Sequence, residues 1–99
     1  MWYVILGLDR KHSLAARREA RSAHLARLEF LRDSGRLHLA GPLPAIDAED
    51  PGPAGFVGSL IVAEFASLDE ARAWADEDPY VSAGVYERVD IWPFRQVLP

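Results

Sequence analysis

The chain has no cysteine. That excludes a disulfide framework, a thiolate nucleophile and a thiolate metal site, and it fits a reducing compartment, so a cytoplasmic location is expected. Long hydrophobic runs are also missing. Met1 to Leu8 is apolar, but no basic segment precedes it and Asp9-Arg10-Lys11 follows at once, so it reads as a first strand and as neither a signal peptide nor a membrane span. No glycine-rich phosphate motif opens a helix, and no Gly-x-Ser-x-Gly turn occurs. The three histidines, His12, His24 and His38, match no common zinc spacing, and Asp47, Glu49 and Asp50 lack the spaced ligands of a calcium loop. The expectation is a protein without metal or cofactor.

What is present suits a packed globule. Of 99 residues 49% are hydrophobic, too many for a disordered chain and enough for one domain spanning 1–99. A domain this short buries only about 60–70% of the surface its unfolded chain exposes, so it gains from an oligomeric partner. The net charge of −4 is unevenly spread: eight basic residues face three acids from Arg10 to Arg36, whereas nine acids face Arg72 alone from Asp47 to Asp78. A basic helix is one half of a nucleic-acid footprint, but no aromatic stacking platform accompanies the arginines. Two oppositely charged surfaces, solvated or meeting between subunits, explain the pattern without nucleic acid.

Periodicity orders the chain. Trp2 to Leu8 is rich in β-formers. Ser13 is positioned as an N-cap for a helix over 14–34, where Ala20, His24, Leu28 and Leu31 recur on one face, Leu25 widens the stripe, and Arg17, Arg18, Arg27 and Arg32 lie largely off it. Gly35 supplies a left-handed C-cap. Leu37 to Ala40 reads as a short strand ended by Gly41-Pro42. Residues 41–58 hold four of the seven prolines and four of the seven glycines and read as a long, stiffened connection that Ile46, Phe56 and Val57 pin down, with Gly55-Phe56-Val57-Gly58-Ser59 as a turn entering the next strand. Ser59 to Phe65 is apolar nearly throughout, as a central strand would be. Ser67-Leu68-Asp69-Glu70 is a capping box for a short helix that faces Ala71, Trp74 and Ala75 inward and stops at Asp78-Pro79. A last strand runs from Tyr86 to Val97, with Pro93 implying an edge position or a bend.

The order β-α-β-β-α-β gives an α+β fold of ferredoxin-like topology: a four-stranded antiparallel sheet with both helices on one face. The other face carries one residue from each of the pairs Trp2/Tyr3, Leu60/Ile61 and Ile91/Trp92. Two helices cannot cover both faces, and a second copy of the chain is the simplest cover, so a homodimer is expected.

Two side chains stand out as candidates for chemistry. His24 sits on the core-facing stripe, where an imidazole needs partners for its nitrogens and titrates in the range of proton transfer. Asp78 is the matching carboxylate, and a carboxylate that orients an imidazole is a common device in proton-transfer sites. Each has a purely structural explanation: His24 as a stripe-edge residue with its tip in water, Asp78 as an N-cap with proline at the first helical position.

Several segments, taken together and in order, resemble the YciI-like (YCII-related) family over nearly the whole chain. They are Tyr3-Val4-Ile5, Arg21-x-x-His24-Leu25-x-x-Leu28, Gly35-Arg36-Leu37, Ala40-Gly41-Pro42, Gly55-x-x-Gly58-Ser59, Ala63-Glu64-Phe65, Ala75-Asp76-x-Asp78-Pro79-Tyr80, Ala83-Gly84-Val85 and Pro93-Phe94. The resemblance implies a dimeric α/β barrel of ferredoxin-like protomers. It also implies an active site built on a first-helix histidine and an aspartate before proline, here His24 and Asp78. Ser59, Gly41, Pro42 and Tyr80 would line the same cleft as substrate-binding residues. Dehydrochlorination of chlorinated hydroxyquinol-type compounds is assigned within the family, and its fold is similar to that of muconolactone isomerases.

Two functions compete at this level. One is a cofactor-free lyase or isomerase acting by acid–base chemistry on a small molecule, with hydroxylated aromatics among the candidates. The other is a non-catalytic dimeric module that binds a small ligand and uses His24 only to hold it. Essential, pH-dependent participation of His24 separates the first from the second.

Overall fold

Strand β1 (Trp2–Asp9) buries Tyr3, Ile5 and Gly7 and leaves the alternate positions half-buried, the period-2 pattern of a strand with one covered face. The computed structural model describes all residues from Met1 to Pro99. Helix α1 (Leu14–Asp33) follows β1 and ends in a Schellman turn: Gly35 takes φ +71°, its N–H donates to Arg32 O at 3.0 Å, and Arg36 N–H donates to Leu31 O at 2.9 Å. Strand β2 (Leu37–Pro44) forms a hairpin with β3 (Phe56–Glu64), and a single 3-10 turn over Gly52–Ala54 lies in the connection. Helices α2 (Leu68–Asp76) and α3 (Pro79–Ser82) then lead into β4 (Tyr86–Phe94). The sheet order is β2-β3-β1-β4, every neighbouring pair antiparallel, which is the ferredoxin-like arrangement.

Local chemistry explains the element ends. Ser67 Oγ accepts from Glu70 N–H at 3.1 Å, and the Glu70 carboxylate reaches back to Ala66 N–H at 3.3 Å, a capping box whose return arm is offset by one residue. Ser13 departs from expectation. It makes no capping bond: its backbone is helical at φ −84°, ψ −5° rather than extended, and its hydroxyl donates to Asp9 Oδ2 at 2.7 Å. Strand β2 runs through Gly41-Pro42 to Pro44 rather than stopping at Ala40. It is an edge strand, and prolines two residues apart turn their missing N–H groups to the same side, the open edge, so the ladder to β3 survives. Phe56 to Ser59 accordingly belongs to β3 and not to a turn, and the connection shrinks from 41–58 to 45–55, closed by Ala45 N–H to Gly55 O at 2.9 Å. Ile46 and Val57 are exposed, and the segment is anchored by the buried Pro51 and the half-buried Phe56. Strand β4 stops at Phe94, short of Val97.

The register assigns the faces. Tyr3, Ile5, Ile61, Ala63 and Ile91 point towards the helices, where they meet Leu28, Leu31, Phe65, Ala71 and Ala75 in the main core. Leu31 is fully buried, and truncating it to alanine would cost about 2–5 kcal/mol. Trp2, Val4, Leu6, Leu60, Leu39 and Trp92 lie on the opposite face, which no element of the chain covers; Trp92 is 67% exposed there. No helix is long and apolar enough to cross a membrane.

Candidate functional site

A second, smaller cluster of Tyr80, Val85 and Tyr86 packs against Ala16 and Ala20 of α1. It holds the short α3 against the middle of the long helix, and this contact brings Asp78 to His24. Asp78 stands just before Pro79 with an extended backbone, and its Oδ1 accepts from Tyr80 N–H at 2.9 Å, the cap of α3. The same carboxylate lies against His24 Nδ1, at 2.8 Å from Oδ1 and 3.0 Å from Oδ2. Both side chains are buried. Capping and imidazole pairing are therefore one arrangement and not rivals: α3 fixes the aspartate that fixes the histidine.

A carboxylate facing Nδ1 requires the proton to be there, which leaves the Nε2 lone pair for the opening that His24 lines. The Tyr80 ring stacks on the imidazole, centroids 3.9 Å apart and planes within 6°, so the ring is held on its face as well as at its edge. The opening is a cleft of about 300 Å³ between α1, β2, β3 and the 45–55 segment. Ser59, Gly41, Pro42 and Tyr80 all lie on its wall together with His24, while His12 and His38 do not. Asp78 sits behind His24, outside the lining.

Arg17 provides the second polar centre, and it corrects the sequence reading that left it off the buried stripe. It is seven residues, two helical turns, before His24 and equally buried. Its guanidinium forks onto Asp9 at the end of β1, with Nη2 2.8 Å from Oδ1 and Nε on Oδ2, and Nη2 also donates to Ser59 Oγ at 2.9 Å. Burial works against the Arg17 charge, but the hydrogen bond and charge of Asp9 outweigh it and hold the group above its ordinary value. The guanidinium lies 5.1 Å from the Tyr80 ring centre and 5.3 Å from that of Phe56. Ser59 spends an oxygen lone pair on Arg17, so its own proton is available to another acceptor.

The likeness to known proteins covers this whole arrangement. The YCII-related domain model matches residues 1–95. This chain belongs to that family. It is 59% identical over 98 residues to protein YciI of Escherichia coli, covering 99% of this chain and all of that one. An uncharacterized protein of Haemophilus influenzae is 50% identical over 98 residues, with the same coverage. Among solved structures, 5-chloro-2-hydroxyhydroquinone dehydrochlorinase from Burkholderia phenoliruptrix, in complex with 2,5-dihydroxybenzoquinone, superposes with a TM-score of 0.83 at 30% identity, covering 96% of this chain and 94% of that one.

In this YCII-related chain, three further residues shape the site without standing out in the sequence. Tyr86 lies over Gly7, where a Cβ would come within 2.5 Å of its ring, so the glycine in the middle of β1 makes room for the tyrosine. Its hydroxyl is buried with no hydrogen-bond partner. Burial raises the phenol well above its ordinary value; the Ser59 hydroxyl, a near polar neighbour that forms no hydrogen bond to it, and the Arg17 charge offset this only in part. Burial likewise raises Tyr80, against Arg17 and Arg21. Asp9 closes the set. A glycine inside a strand pattern was the available signal for Tyr86; the Asp9–Arg17 pair joins the end of a strand to a helix and had no local signal.

Proposed function

We propose that the chain is a cofactor-free acid–base enzyme, a lyase or isomerase, acting on a small hydroxylated ring. The observation that carries this reading is the buried Asp78 carboxylate on His24 Nδ1, which turns the Nε2 lone pair to the cleft. In the step envisaged, Nε2 takes a proton from a substrate hydroxyl, and Asp78 supports the imidazolium that forms. The electron pair left on oxygen folds into the ring as a new C=O. In a lyase that proton is delivered to the halide-bearing ring carbon, making it tetrahedral; Nε2 then takes the proton of a second hydroxyl conjugated with that carbon, whose electron pair moves through the ring to expel the halide and leave a quinone, and His24 passes this proton to water, a net loss of hydrogen halide. In an isomerase the first proton returns to a different ring atom. Arg17 and the Ser59 hydroxyl stand where charge on a substrate oxygen would be stabilised, and Phe56 and Leu25 give the cleft apolar surface for the ring. The likeness to a dehydrochlorinase solved with a dihydroxybenzoquinone supports both the ring and the elimination.

The working unit in this reading is a cytoplasmic homodimer, whose second copy covers the open sheet face around Leu6, Leu60 and Trp92. The test is turnover of 5-chloro-2-hydroxyhydroquinone and related hydroxyquinols, followed by chloride release and by exchange of ring protons in D₂O. Wild type should show one or both, and His24→Ala should lower the rate by about 10²–10⁴-fold. Saturable binding with substrate recovered unchanged and no exchange would identify a binding module instead.

A further inference from the structure

The acids at this site are already committed. Asp9 takes both arms of Arg17 and the Ser13 hydroxyl, and Asp78 takes His24 and the Tyr80 N–H. Two more arginines, Arg18 and Arg21, line the same cleft, one turn before His24 in the case of Arg21. Neither makes an ion pair or a side-chain hydrogen bond, although four other arginines, Arg17, Arg32, Arg72 and Arg88, each pair with an aspartate. The one acid on the cleft wall, Asp50, is turned to its own backbone and accepts from Gly52 N–H at 3.0 Å. The cleft wall formed by α1 therefore presents two guanidinium groups without an ion-pair partner on the same helix as His24, against the single carboxylate of Asp50. Arg21 is exposed on the cleft rim, and its charge opposes the upward shift that burial gives the Tyr80 phenol.

We propose that the cleft selects an anionic ring: a small six-membered ring compound carrying one ionised group, held by Arg21 with Arg18, with a hydroxyl directed at His24 Nε2. This deepens the acid–base reading and rests on it for the role of His24, but not for the binding of charge. A carboxylate and an ionised hydroxyquinone, which is a vinylogous carboxylate, share the chemistry of two oxygens with one delocalised charge; the carboxylate pair fits a single guanidinium fork, and the wider-set pair of the hydroxyquinone suits two separate arginines. A neutral quinol would leave both arginines without a partner.

The experiment is a calorimetric titration of the whole protein with three probes of similar shape: 2,5-dihydroxybenzoate, 2,5-dihydroxybenzoquinone in its ionised form, and the neutral 2,5-dihydroxybenzamide. At least one anion should bind about five- to tenfold more tightly than the amide at about 150 mM salt, and which one does so distinguishes a carboxylate from a ring enolate. Arg21→Gln should remove most of that difference and leave amide binding alone. Arg32→Gln, which changes the charge of the same helix by the same amount far from the cleft, should preserve it. The proposal is overturned if the anions bind no more tightly than the amide or not at all, or if Arg21→Gln and Arg32→Gln act alike. Turnover of a neutral hydroxyquinol without anion preference would overturn it while leaving the acid–base reading standing.

Discussion

Replacing Asp78 by asparagine separates the two jobs of that side chain. Oδ1 accepts from Tyr80 N–H at 2.9 Å and from His24 Nδ1 at 2.8 Å, while Oδ2 is 3.0 Å from the same nitrogen. Asparagine caps about as well as aspartate, so its carbonyl keeps the Tyr80 bond and its amide group takes the place of Oδ2. That amide is a donor. Oδ1 can still accept from Nδ1–H, but the donor now in the place of Oδ2, 3.0 Å from the same nitrogen, opposes that proton, so the imidazole population shifts towards the opposite tautomer, with the proton on Nε2 and the lone pair turned away from the cleft. Stability should fall by only about 1–2 kcal/mol, the difference between a charge-assisted and a neutral buried hydrogen bond, or roughly 4–16 °C in melting temperature for a chain of this size. Asp78→Ala removes the cap too and strands two buried N–H groups, and should cost about 3–4 kcal/mol. Nitrogen-15 NMR of the His24 ring reads the tautomer directly, whether or not a substrate is in hand. Turnover, once a substrate is confirmed, should drop by about 10²–10⁴-fold. An Asp78→Asn protein that keeps the proton on Nδ1, or keeps wild-type rates, would refute the reasoning.

Arg17→Met leaves the Asp9 carboxylate buried with only Ser13 to bond, and urea titration should show a loss of about 3–5 kcal/mol, partly recovered in Asp9→Asn/Arg17→Met. Tyr86→Phe removes a hydroxyl that has no hydrogen-bond partner, so stability at pH 7 should stay within about 1 kcal/mol of wild type. Because burial raises this phenol above its ordinary value of 10, the unfolded chain loses the proton first; wild-type stability should be intact below pH 10 and fall above it, and thermal melts of Tyr86→Phe should show a shallower alkaline decline. Sedimentation equilibrium should give twice the chain mass of 11.0 kDa, and Trp92→Glu on the open sheet face should shift it towards the monomer; a wild-type monomer at micromolar concentration would refute the dimer.

Features that depend on a few neighbouring residues were legible from the sequence alone. The Gly35 turn, the Ser67–Glu70 box, the Asp78-Pro79 stop and the strand–helix order are short-range matters of backbone conformation and side-chain period, and the sheet topology follows from that order. The His24 face was readable for the same reason: a stripe of four residues on a long helix repeats often enough to be seen. Tertiary structure decided the rest. Whether Pro42 ends a strand depends on whether that strand lies at an edge, which no local pattern states. Arg17 looks like a surface arginine until the end of β1 brings Asp9 beneath it; once the two are within hydrogen-bonding distance, the paired charges can leave water together, and neither could have done so alone. Asp78 likewise keeps its capping role from sequence, but it becomes the partner of His24 only because Tyr80 and Tyr86 pack α3 against α1, a contact between segments more than fifty residues apart.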